Sequence, residues 1–330
     1  MTEIVDLEMA HNIGHWQRQC AKGFDTLRVH IGFYDEHLSD AISLGLRSGD
    51  LIPGCNGFVL TGPYKIVTDG SLGSQTAYCH EVYPGTDDHG LLAHPPRTLS
   101  DMIKRGTEHG FKMAVHAIGD QANHLALETI AAGPPPLPRS TIEHAQLLDF
   151  DDLPLFSQLG LIASIQPCHL VDDRQLCHKF WPGREGRAYA FKSIFNAGIP
   201  IKTGSDTPIA PLQPWEAIAV AITRAGEGET PFCAEHIIDV ETAFAASTCV
   251  SDASNYQCMI RASNAGGTAT TSRAGITTEW KGQHSRRREG RLVLAKRRSA
   301  ELRRGGAEGN ASQRDYVGWE LDMAELWQGQ

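Results

Sequence analysis

Short apolar, β-branched runs recur along this chain as far as Asp206, and most end on a titratable side chain. TEIVDLEM from Thr2, TLRVHIGF from Thr26, YKIVTDG from Tyr64 and FKMAVHAIG from Phe111 are followed by STIEHAQ from Ser140, LIASIQP from Leu161 and IPIKTGSD from Ile199. Stretches of helical period or composition lie between most of them, among them DEHLSDAISLGLRSG, LSDMIKRGTEHG and DQANHLALETIAAG. Strand and helix in alternation predict βα units and a parallel sheet. Asp101 and Asp120 are expected near helix starts, and Gly110 and Gly133 at helix ends. Further on, PLQPWEAIAVAITRAG and DVETAFAAST are expected as two more helices.

Parallel strands of a (β/α) barrel present their carboxyl ends at one rim, so polar groups at those ends converge. Lys65 lies in KIVTDGSLGSQTA, His116 in VHAIGD, His144 in IEHAQ and Asp206 in GSD. A lysine, two histidines and an aspartate gathered at one rim point to a hydrolytic metal site. Each residue also has an ordinary role when taken alone. Lysines are mostly surface residues, a strand-end histidine is usually a hydrogen-bonded loop residue, and Asp206 could cap the next helix. It is the set, with the two histidines 28 positions apart, that favours the metal.

The order, the spacing and the phrase DGSLGS resemble the amidohydrolase superfamily, in the branch called amidohydrolase family 3, over residues 1–248. The resemblance implies a TIM-type (β/α) barrel in which strands two to eight are present, and the first strand and a preceding β-sandwich domain are absent. It implies hydrolysis of a small amide, N-formyl or cyclic amide substrate by water activated on a divalent metal, zinc first and manganese second. Lys65, carboxylated by CO₂, would be a ligand together with His116 and His144. Asp206 would be both ligand and proton shuttle, and His169 in SIQPCH would orient substrate or stabilise an oxyanion. Asp69, Ser71, Ser74 and Gln75 would shape the substrate loop, with Gln75 standing where relatives often carry arginine. No His-x-His, the family motif that closes the first strand, occurs in the sequence. His11 and His15 lie just past the first strand candidate and are not expected to replace it. The chain is therefore expected to hold one ion at most. The competing reading is a non-catalytic remnant or mispredicted fragment of the fold. An opened barrel exposes two sheet edges, which favours a homo-oligomer.

Charge excludes one class of partner. The net charge is −9, yet ten Lys/Arg and two acids fall between Lys281 and Arg304, so the remainder carries −17. An acidic body is the wrong surface for nucleic acid, which needs a basic face. Eight cysteines without a CxxC pair suit a reducing compartment. The first residues lack the basic and apolar segments of a signal peptide, and no apolar run reaches the ~20 residues of a membrane span. A cytoplasmic protein without a membrane partner is expected. From 249 to 330 the composition turns to Gly, Thr and Arg and the periods fade, so a disordered basic tail is expected.

Overall fold

The computed structural model describes residues 2–248, so the expected tail lies outside the described residues. Seven strands form one sheet: β1 (Glu3–Asp6), β2 (Arg28–Phe33), β3 (Val59–Val67), β4 (Met113–Ala117), β5 (Thr141–His144), β6 (Ile162–Ile165) and β7 (Ile201–Thr203). They pair in chain order and all in parallel, which curls the sheet into an open half-barrel. Among the described residues β1 and β7 are its two edges. This is the incomplete barrel that the sequence predicts.

Helices fill the crossovers: α1 (Asn12–Ala21), α2 (Asp35–Ser43), α3 (Pro96–Glu108), α4 (Asp120–Ala132), α5 (Leu153–Gln158), α6 (His169–Phe180) and α7 (Phe191–Asn196). The last two, α8 (Pro214–Thr223) and α9 (Val240–Thr248), follow β7. Asp120 opens α4 as expected. Asp101 does not open α3, which begins at Pro96, because proline at the first turn has its φ preset and gives up no needed N–H. Helices α1 and α5 to α7 lie outside the stretches singled out above as helical.

The two faces of the sheet differ, and period-2 alternation decides how. Val29, Ile31, Tyr64, Ile66, Met113, Val115 and Ile142 are buried in the main apolar core. Tyr64 shows which way this face looks, because its hydroxyl donates to Asp35 of α2 and its ring lies under Gly106 of α3. Any side chain at position 106 would strike that ring. The intervening residues, Lys65, His116, Glu143, Ser164 and Lys202, therefore face the concave side, and the last four are linked in register from β4 to β7. No helix of the described residues is long and apolar enough to cross a membrane.

Candidate metal centre

Five predicted site residues sit at or just beyond the carboxyl ends of their strands. Lys65 is near the end of β3, His116 near the end of β4, and His144 is the last residue of β5. His169 begins α6 after β6, and Asp206 follows β7. The rings of His116 and His144 lie edge to face with centroids 4.5 Å apart. His144 stacks on His169 at 6.0 Å, and His169 Nε2 is 3.9 Å from Asp206 Oδ2. His144, His169 and Asp206 each bring one donor atom within 4.8 Å of the others. Both His144 and Asp206 take left-handed backbone conformations, with φ of 72° and 56°. Non-glycine residues adopt that region at a cost, and such costs gather at functional sites.

The electrostatics favour neutral rings and a reactive amine. Burial, with Lys65 second, pulls the His116 pKa down to about 3. Burial also holds His144 well below its usual value, helped by His116, Lys65 and His169. Lys65, 7% exposed, is lowered by burial against the opposing pull of Glu143 and Asp206. His116 Nε2 faces the Gly70 carbonyl at 3.3 Å, which assigns the ring proton to Nε2 and leaves Nδ1 with its lone pair. Two buried ring nitrogens, His144 Nδ1 and His169 Nε2, have no hydrogen-bond partner. Buried polar atoms are rarely left so. Orphaned imidazole nitrogens beside a carboxylate are the donor set that a divalent cation takes, so the residues fit the metal.

The loop after β3 is less uniform than the sequence suggests. Asp69, 2% exposed, turns inward and accepts backbone N–H bonds from Tyr78, Ile118 and Gly119 at 2.9, 3.0 and 2.8 Å. Burial pushes its pKa up to about 7 while those donors pull it down. Its oxygen also lies 3.4 Å from His116 Nε2, so it braces the ring from behind. Ser71 and Ser74 are exposed and hydrogen-bonded to each other at 2.9 Å. Gln75, half-buried, sits at φ 57° on the same turn.

Sequence reasoning passed over Glu143 and Gln166. Glu143 is the charge that acts most strongly on Lys65, and Gln166 hydrogen-bonds the His144 ring. The signal for Glu143 was its place one residue before His144, on the opposite parity of the strand. A second group, His11, His37 and Asp40, also brings donor atoms within 4.8 Å. Here His11 Nδ1 accepts the Gly14 N–H that caps α1, so its Nε2 carries the proton and faces Asp40 at 3.4 Å. That nitrogen has no lone pair to give, and His15 is not among this group.

A family model described as amidohydrolase family matches residues 19–261. Putative amidohydrolase YtcJ of Bacillus subtilis (strain 168) is 34% identical over 219 residues, covering 65% of this chain and 40% of that protein. Protein LONG AFTER FAR-RED 3 of Arabidopsis thaliana is 34% identical over 193 residues, covering 56% of this chain and 33% of its own length. The chain thus spans less than half the length of either relative. Two solved structures, each described as an uncharacterized metal-dependent hydrolase, come from Pyrococcus horikoshii OT3 and Pyrococcus furiosus. They match with TM-scores of 0.63 and 0.62 at 26% and 25% identity, each covering 74% of this chain and 49% of the other. The chain belongs to the amidohydrolase family, in the branch called amidohydrolase family 3.

Proposed function

We propose that the protein hydrolyses carbon–nitrogen bonds other than peptide bonds in a small amide, N-formyl or cyclic amide substrate. The observation that carries this reading is the unpartnered, buried His144 Nδ1, with the His116 ring 4.5 Å away and Asp206 and His169 each bringing a donor atom within 4.8 Å of one on His144. His116, His144 and Asp206 would hold one divalent cation, with Lys65 as a further donor once its amine has taken up CO₂. Zinc suits imidazole and carboxylate best, and manganese next. Such a cation, when bound, lowers the pKa of a water and polarises a carbonyl.

The chain's own groups do the rest. Neutral His116 and His144 offer lone pairs because burial keeps protons off them. The depressed pKa of Lys65 raises the fraction of free amine, the form that reacts with CO₂. Asp206 is 45% exposed, so it can meet solvent, take the proton of the attacking water and pass it to the leaving nitrogen. His169, 11% exposed, orients that carboxylate and the substrate carbonyl. Ser71, Ser74 and the half-buried Gln75 form the lip against which substrate rests, and Asp69 fixes His116 rather than touching substrate. On this reading residues 1–248 are the barrel and 249–330 its tail. The setting is the cytoplasm, and the open edges at β1 and β7 are where copies of the chain meet.

Elemental analysis of the purified protein tests the reading. One zinc or manganese per chain is expected, lost in His116→Ala and in His144→Ala, with turnover of N-formyl or simple amide substrates lost alongside. Metal content unchanged in both variants would sink the site. Metal retained without turnover of any such substrate would favour a non-catalytic copy of the fold.

A further inference from the structure

The amino end of the sheet, opposite the metal rim, gathers three cations whose side chains form no ion pair among the described residues. Lys112 immediately precedes β4, and Arg139 stands two residues before β5. Arg47, from the connection between α2 and β3, lays its side chain against Gly110. With Asp50, Leu137 and Pro138 they line a cavity of about 490 Å³. Among the described residues the side chains of Arg47, Lys112 and Arg139 make no ion pair and no hydrogen bond; only the backbone N–H groups of Arg47 and Lys112 donate to side chains, those of Asp50 and Ser48. Asp50 Oδ2 accepts the backbone N–H of Arg47 at 2.8 Å. The cations also press on one another: burial lowers the Lys112 pKa, and Arg139 and Lys202 lower it further.

We propose that this cavity binds a small organic phosphate at a site separate from the metal rim. Four residue steps along β4 separate Lys112 from His116, or ~13 Å at ~3.3 Å per residue. A phosphate monoester carries about −1.5 to −2 charge near pH 7. It can therefore meet several cations at once, where a monocarboxylate would neutralise one. Guanidinium forks of Arg47 and Arg139 match its oxygens in pairs. Leu137 and Pro138 leave an apolar wall for the organic part.

Calorimetric titration with inorganic phosphate, at an ionic strength fixed with sodium chloride, tests the proposal. Saturable binding of one phosphate is expected in the full chain and equally in His144→Ala. Lys112→Gln combined with Arg139→Gln should weaken it about tenfold or more, which is ~1.4 kcal/mol. Arg47→Gln, at an exposed position, should weaken it in the same direction and serves if the double variant does not fold. Phosphate heats no larger than those of chloride would overturn the proposal. So would binding lost in His144→Ala but kept in the cation variants, since phosphate would then sit at the metal rim.

Discussion

Gly119→Ala should destabilise the protein by about 3 kcal/mol, although the same exchange at an unconstrained site stabilises by about 0.4–1 kcal/mol. Gly119 has an ordinary φ of −71°, so no backbone conformation demands glycine there. What demands it is space. A methyl would collide with the Tyr78 carbonyl and stand 2.7 Å from the Tyr78 nitrogen. Tyr78 and Gly119 both donate to Asp69 Oδ2, at 2.9 and 2.8 Å, and Tyr78 accepts the Ala122 N–H at 3.1 Å. Moving the two backbones apart stretches all three bonds, with the released groups still buried. Above pH ~7, where Asp69 is ionised, hydrogen bonds to that charged group contribute about 1.5–3 kcal/mol and neutral ones about 1, so half of that sum gives the figure above. Urea denaturation read by tryptophan fluorescence measures it, and metal content should fall as well, since Asp69 braces His116. An alanine variant as stable as the parent, or more so, would refute the packing argument.

Arg224 is fully buried and donates to the carbonyls of Phe232 and Tyr189, each at 2.6 Å. Arg224→Met should cost about 3 kcal/mol by leaving those oxygens unpaired, seen as a lowered melting temperature in a thermal scan. Glu3 is held down from 4.5 to about 2, chiefly by His30, with Arg28 also lowering it and burial opposing both. Its folded value lies below its unfolded one, so its stabilisation is present above pH ~4.5 and fades as pH falls toward 2. Water reaches this pair, which limits the effect to about 1 kcal/mol. His30→Gln should flatten the acid limb of a stability–pH curve, and an unchanged limb would rule the pair out.

The fold was legible because its signal is repeated. Each apolar run in a parallel sheet must be followed by a polar turn and a helix, so one misjudged element does not spoil the count. Helices α5 to α7 were not legible. They are short or weakly amphipathic, and their residues, such as Cys177 and Phe180, are fixed by tertiary burial rather than by period. Asp69 shows the same limit at the site. DGSLGS announces a tight turn, but whether its aspartate meets substrate or the backbone of the next strand depends on Tyr78, Ile118 and Gly119, which lie well downstream.

His144 carries the point furthest. Alternation along β5 places Ile142 among the helices and Glu143 on the concave face, so a regular strand would send His144 outward with Ile142. The ring nevertheless lies beside His116, which is on the concave side, and stacks on His169. The left-handed φ of 72° at His144 ends the strand and turns the side chain back toward the rim. Ala145 continues the same turn at φ 43°. Such conformations oppose the local preference of a histidine or an alanine, and persist only where the surroundings over-determine them. Here the surroundings are the His116 ring on one side, His169 on the other, and Gln166 bonded to the ring. The motif IEHAQ therefore reveals that a histidine stands at the strand end, while the direction of its ring is set by groups from β4 and β6 that no local pattern in β5 can announce.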